Sequence, residues 1–130
     1  MKEVANEWLV AALDDLKTMN YLEKDESLTN ILAFHAQQCI EKSLKAIIEE
    51  KELGTVRIHN LRCLFGVCEK HLVITESEKD VVAVLDSLYL NARYPGDRGL
   101  LPEGKPTLTD AKSFSSFAKR VYEATCSLLH

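Results

Sequence analysis

The chain has 130 residues, 46% hydrophobic and 28% charged, with 16 basic side chains against 20 acidic ones and a formal charge of -4. That length suits one ordinary domain, residues 1–130, and the composition is globular rather than disordered. The acidic balance excludes a global attraction for nucleic acid, and no apolar run approaches the ~20 residues that span a bilayer.

The predicted elements are all helices. The first spans Glu3 to Leu22, where Ala5, Trp8, Leu9, Ala12, Leu16 and Met19 share one stripe at about 100° per residue. The second begins at Ser27, a suitable N-cap after Lys24-Asp25-Glu26, and runs to Leu53 before Gly54 stops it. A short third helix, Asn60 to His71, presents Leu61, Leu64, Phe65 and Cys68. The fourth opens with the capping box Thr75-Glu76-Ser77-Glu78 and continues through Val81, Leu85, Leu88 and Ala92. Pro95 ends it, because a residue before proline is pushed out of the α region. After the glycine- and proline-rich loop from Pro95 to Leu108, a fifth helix starts near Thr109 with Phe114, Phe117, Val121, Ala124 and Leu128 on one side. The expected fold class is all-α, an antiparallel up-and-down helix bundle of four long helices plus one short helix.

Within the second helix, Ala33, Ala36, Ile40, Leu44 and Ile47 fill one stripe, and Leu32, Cys39, Ser43 and Ala46 fill the sector beside it. His35, Gln38, Lys42, Lys45 and Glu49 form a polar stripe with Glu41 at its margin, while Gln37 lies at the other edge of the apolar stripe, half-buried. One imidazole, one amide and two ammonium groups stacked along a helix suit phosphate oxygens. The same pattern also suits a solvated face laced by the Glu41–Lys45 pair. His35 is equally at home as a histidine satisfied in a helix contact. At the end of the fourth helix, Arg93 and Tyr94 precede Pro95, and a guanidinium there suits either an anion or the helix's own terminal carbonyls. The candidate nucleotide-binding residues are therefore His35, Gln38, Lys42, Lys45, Arg93 and Tyr94.

Cys39, Cys63, Cys68 and Cys126 form no Cys-x-x-Cys pair. Cys63, Cys68 and His71 fall short of the four ligands a closed metal site wants, so neither metal nor cofactor is expected. Residues Met1 to Glu7 hold no apolar signal core, which with the scattered thiols points to a cytoplasmic protein.

The run Phe34-His35-Ala36-Gln37-Gln38-Cys39-Ile40-Glu41-Lys42-Ser43-Leu44-Lys45-Ala46 resembles the signature of HEPN domains, the higher eukaryote and prokaryote nucleotide-binding family. Trp8, Ala12, Asp15 and Leu16, then His59 with Leu61 and Leu64, then Arg93-Tyr94-Pro95, agree in order, so the resemblance covers nearly the whole chain. It implies a homodimeric helix bundle that works with a minimal nucleotidyltransferase, in some members as a toxin–antitoxin pair. The RNA-cutting branch of that family carries an arginine followed after four to six residues by histidine, whereas here no histidine follows Arg93 before His130. The resemblance thus implies a non-catalytic module. An RNA-cleaving toxin with a non-standard set such as His35 with Arg93, and a ligand-free dimerising adaptor, are the alternatives.

Overall fold

The structure, a computed structural model, describes residues 1–55, 57–93 and 104–130, without the side chains of 91–93. Helix α1 (Glu3–Leu22) is followed by a 3-10 turn (Glu26–Leu28), then α2 (Thr29–Glu50), α3 (Leu61–Val67), α4 (Glu76–Arg93) and α5 (Leu108–Leu129). Among the described residues there is no strand. The bundle is all-helical, with α2 packed against each of the other four helices.

That central place follows from the residues of α2. Leu32, Ala36, Cys39, Ile40, Leu44, Ala46 and Ile47 are fully buried, and Ala33 nearly so. With Gln37, Glu41 and Ile48, which are buried as well, these positions cover more than half the helix circumference, too much for a single neighbour to hide. The small residues among them let α1 and α5 approach closely. Ser43 is also fully buried and returns its hydroxyl to the Cys39 carbonyl at 2.8 Å, so it needs no partner from another helix. Helices α1 and α2 run antiparallel, as ties at their ends show: the Lys2 backbone N–H donates to Glu50 Oε2 at 2.8 Å, and Lys2 Nζ reaches Glu52 Oε1 at 2.7 Å.

The ends of the helices show where local chemistry departs from the expected punctuation. The stop of α2 is not Gly54 but a Schellman motif two residues earlier. The Leu53 N–H reaches Ile48 O at 3.0 Å while Glu52 takes φ 55°, a left-handed conformation usually left to glycine. Ser27 does not cap α2: Asp25 caps the 3-10 turn before it, its Oδ1 accepting from the Ser27 N–H at 2.9 Å and hydroxyl at 2.6 Å, and the residue at the N-cap of α2, Leu28, makes no side-chain cap. Helix α3 ends at Val67, short of His71, with Asn60 as its N-cap. The Thr75–Glu78 box forms as expected, with bonds of 2.9 and 3.2 Å. A second box, Thr107 with Asp110, starts α5 one residue before the expected position.

Candidate functional site

The polar stripe of α2 lies along a seam walled by α1 on one side and by the chain entering α3 on the other. Two buried carboxylates organise it. On the α1 side, Asp15 is 6% exposed and holds His35 Nδ1 at 2.8 Å and Lys42 Nζ at 2.7 Å, one on each oxygen. On the α3 side, Glu41 is 4% exposed and takes His59 Nδ1 at 3.0 Å and Lys45 Nζ at 3.4 Å. The two centres repeat one design, a carboxylate facing one imidazole and one ammonium. A carboxylate that deep requires it, because an unpaired buried charge costs several kcal/mol.

Amide groups complete the second centre. Gln37, expected half-buried, is fully buried, and its Nε2 donates to the His59 carbonyl at 2.9 Å. Its Oε1 accepts from Gln38 Nε2 at 2.8 Å. This chain of bonds pins the segment before α3 to α2 and fixes which way the Gln38 amide points. Lys45 also lies 5.2 Å from the centroid of the Trp8 ring, so its charge sits between an aromatic face and Glu41.

The sequence-predicted residues are thus brought together in part. His35, Gln38, Lys42 and Lys45 line one strip, with Lys45 deeper than Lys42 and His35, which are roughly a quarter exposed. Arg93 is the last residue of α4, but its side chain and all of Tyr94 lie outside the described residues. Because both imidazoles meet a carboxylate through Nδ1, that nitrogen carries the hydrogen and Nε2 is turned away from the carboxylate. The strip therefore offers one imidazole edge, one amide and the remaining donors of Lys42 to whatever approaches α2.

Beside these donors stands an aromatic pair that the sequence reading did not assign to the site. Phe34 stacks on Tyr89 of α4 at 6.0 Å and 16°, and touches the His35 ring edge-on at 5.4 Å. Phe34 remains 38% exposed, and Ile31, one turn earlier, is exposed too. Asp86, three residues before Tyr89, does not face the strip's cations. Its two oxygens accept the backbone N–H groups of Leu61 and Arg62 at 2.9 and 3.2 Å, supplying a cap to α3 from another helix. Burial raises its carboxyl above the usual value and the nearby Glu41 pushes the same way, against the lowering effect of the two N–H groups.

Asp15 was legible in one respect. It falls three residues after Ala12 and four before Met19, inside the buried stripe of α1. A carboxylate at such a position needs a cation from another element. Of the thiols weighed as metal ligands, Cys63 is exposed, whereas Cys68 is buried with its Sγ directed at the Leu44 carbonyl at 3.7 Å.

Comparison with known proteins agrees with this architecture. An archaeal HEPN homologue, ST0689, superposes with a TM-score of 0.72 at 24% identity, covering 100% of both chains. The protein TT1696 from Thermus thermophilus gives a TM-score of 0.78 at 22% identity over 98% of this chain and 100% of its own. No curated protein matches the chain. The model of the HEPN domain matches residues 5–129, from the first buried alanine of α1 to the last residue of α5. The chain belongs to the HEPN domain family.

Proposed function

We propose that this protein is a non-catalytic binding module whose α2 strip receives a phosphorylated nucleotide. The observation that supports the reading is the Phe34–Tyr89 stack set directly beside the His35 imidazole of the strip. A base has an aromatic face to lie on, at about 1–3 kcal/mol per stacked base. Phosphate oxygens meet the remaining donors of Gln38 and Lys42, with Lys45 behind them. His35, whose Nδ1 hydrogen is given to Asp15, joins them through Nε2 only when both ring nitrogens carry hydrogen, and Arg93 and Tyr94 are the further candidates named from the sequence. Since Asp15 and Glu41 already draw on the lysines, the affinity is modest, micromolar to millimolar, or about -4 to -8 kcal/mol.

The module acts as a homodimer with a minimal nucleotidyltransferase partner, in the manner of a toxin–antitoxin pair. The exposed Ile31 and Phe34 on α2 and Leu90 on α4 give apolar surface for either contact. Titration calorimetry with ATP and GTP tests the nucleotide. Wild type should give saturable heat, and Phe34→Ala and Lys42→Ala should each weaken it about threefold to tenfold, the loss of one stacking or one charge-assisted contact. Equal, negligible heats for all three proteins at millimolar nucleotide would overturn it.

A second reading is favoured by the ion pairs themselves. Each lysine of the strip already has a carboxylate, which suits a ligand-free adaptor that needs a rigid α1–α2 seam. Such an adaptor would retain the nucleotidyltransferase on co-purification while showing no heat with nucleotide. Light scattering that gives a monomer at micromolar concentration would remove the homodimer from both readings.

A further inference from the structure

A concave surface lies between α3 and α4, lined by none of the α2 strip residues. The groove between α3 and the first half of α4 has a volume of about 990 Å³, the upper end of the range for small-molecule sites. Its floor is apolar and fixed in place. Phe65, Leu72 and Val82 are each less than a tenth exposed, and Phe65 is held from below by a stack on Phe117 of α5 at 6.1 Å.

The rim is charged and unevenly satisfied. Three cations line the groove, Arg62, Lys70 and Lys79, against two carboxylates, Glu69 and Asp86. Lys79 is engaged by Glu76 at 3.0 Å. Both Asp86 oxygens are spent on the first amides of α3. The side chains of Arg62 and Lys70 have no hydrogen bond or ion pair among the described residues. Glu69 on the same rim is also without a partner among the described residues, so two unpaired cations stand against one unpaired carboxylate. Within a chain of net charge -4, that locally positive edge on an apolar floor complements an acid with a greasy body.

Gly66 is the third feature. It faces the groove from the middle of α3, and a Cβ built on it meets nothing within 4 Å. Neither packing nor backbone conformation requires glycine there, and a glycine inside a helix costs about 0.5–1 kcal/mol relative to alanine. Its effect is to keep the mouth of the groove open.

We propose that the α3–α4 groove binds a small amphipathic anion, its apolar body on Phe65, Leu72 and Val82 and its acidic head between Arg62 and Lys70. The inference does not rest on nucleotide binding at α2. The test uses the full chain and the fluorescent anion 1-anilinonaphthalene-8-sulfonate as probe. Binding should be saturable at one site per chain, reversed by decanoate, and left in place by decyltrimethylammonium, which has the same tail and the opposite charge. Gly66→Leu, and separately Ala83→Leu from the exposed α4 wall, should each weaken the dye at least about tenfold while the urea midpoint stays near wild type. Arg62→Ala should weaken it about threefold to tenfold, as for one charge-assisted contact. The proposal is overturned by the absence of saturable binding, or by displacement with decyltrimethylammonium as complete as with decanoate. It is equally overturned if ATP displaces the dye as decanoate does, or if a folded filling variant retains wild-type affinity.

Discussion

Along the α1–α2 seam, Asp15 and Glu41 are buried, and each holds one histidine and one lysine within 3.4 Å. Across the α3–α4 groove, Arg62 and Lys70 stand at the rim of an apolar floor with no carboxylate bound to them. Both regions are rich in cations, but the charges do different things. In the seam the carboxylate is the deep group and the cations are brought to it, so the ion pairs set the register of α1 on α2 and the posture of the segment before α3. In the groove the deep groups are hydrocarbon and the cations are left to solvent, so nothing in the fold depends on them. A cation's availability is decided by what lies beneath it, and counting lysines along a stripe does not reveal that.

The sharpest way to break the comparison is to remove one deep carboxylate. Asp15→Ala leaves Lys42 and His35 facing an emptied, largely buried position, where neither a partner nor full hydration is on offer. The cost should be about 3 kcal/mol, at the low end for a broken buried pair because Lys42 keeps some contact with water. Urea unfolding reads it directly as a fall in midpoint. In the double variant with Lys42→Met the loss should be partly recovered, giving a coupling of about 1–2 kcal/mol. A single-variant loss below about 1 kcal/mol would show that the seam is held by its apolar contacts alone.

Much of the fold was legible because it depends on patterns within one segment. The stripe Ala5, Trp8, Leu9, Ala12, Leu16 and Met19 and the Thr75–Glu78 box are local; the box forms, and of the stripe all but Trp8 and Leu16, which are half-buried, are buried. Errors arose where two local signals competed. Gly54 looks like the stop of α2, yet the chain turns at Glu52 because Leu53 N–H can reach Ile48 O only if residue 52 is left-handed. The Thr107 cap was missed because its partner is Asp110, one methylene shorter than the usual Glu or Gln. The site was less legible than the fold. Lys42 and Lys45 look equivalent on a helical wheel, three residues apart on one polar stripe. What separates them is Asp15, 27 positions away from Lys42, and the Trp8 ring over Lys45. Those partners come from the packing of α1, which no single-helix pattern contains. The same holds for Asp86, whose cap on α3 joins residues 25 positions apart and leaves no mark in the pattern of α4 alone.

Local opening should separate the two regions next. Burial pushes the Cys39 thiol up to about 12 and the Cys68 thiol up to about 11, so neither presents a thiolate while folded. Cys39 lies in the middle of α2 with its Sγ toward Ala118 of α5, and exposing it requires the bundle to come apart. Cys68 follows a helix of only 7 residues, which can open alone. Labelling with iodoacetamide, followed by mass spectrometry, should modify exposed Cys63 first, then Cys68, and Cys39 last. The Cys68 rate should exceed the Cys39 rate by at least about tenfold, or about 1.4 kcal/mol in opening free energy. Equal rates would mean that α3 and the seam unfold as one unit.

Asp86 joins the two regions, and its titration gives a smaller, signed effect. Burial raises its folded value above 3.8, so the folded state holds that proton more tightly than the unfolded chain does. Stability from this group is therefore present at low pH and falls as pH rises from 3.8 through the raised value. Glu78 has the opposite sign. Burial pushes it up, but the Thr75 N–H and the Arg120 guanidinium outweigh burial and hold it lowered, so its contribution is lost on acidification. Asp86→Asn should consequently gain on wild type as pH is raised from roughly 4 to 7, whatever its offset from losing one α3 cap. Urea midpoints of both proteins across that range measure it. A difference that is flat, or that moves the other way, would mean that the α3 amides dominate over burial.

The smallest expected effect is the one that tests the other half of the comparison. Arg62 is exposed; its backbone N–H is bonded to Asp86 Oδ2 at 3.2 Å, and its side chain has no hydrogen bond or ion pair among the described residues. Arg62→Ala keeps that bond, removes no ion pair, and replaces arginine with a residue of slightly better helix propensity. Its change in unfolding free energy should lie within about 0.5 kcal/mol of zero, as for a surface site whose side chain takes no part in a cap or ion pair. The guanidinium's aliphatic stem could still cover part of the groove floor, in which case alanine would expose Phe65 and Val82 and cost more than that. Arg62→Lys separates the two, since lysine retains a stem and a charge but not the forked head. If alanine destabilises and lysine does not, the arginine is part of the fold in the way Lys42 is, and the contrast between seam and groove collapses. If neither does, the guanidinium is free to serve something outside the chain, and the loss of dye affinity in Arg62→Ala can be read as loss of a ligand contact alone.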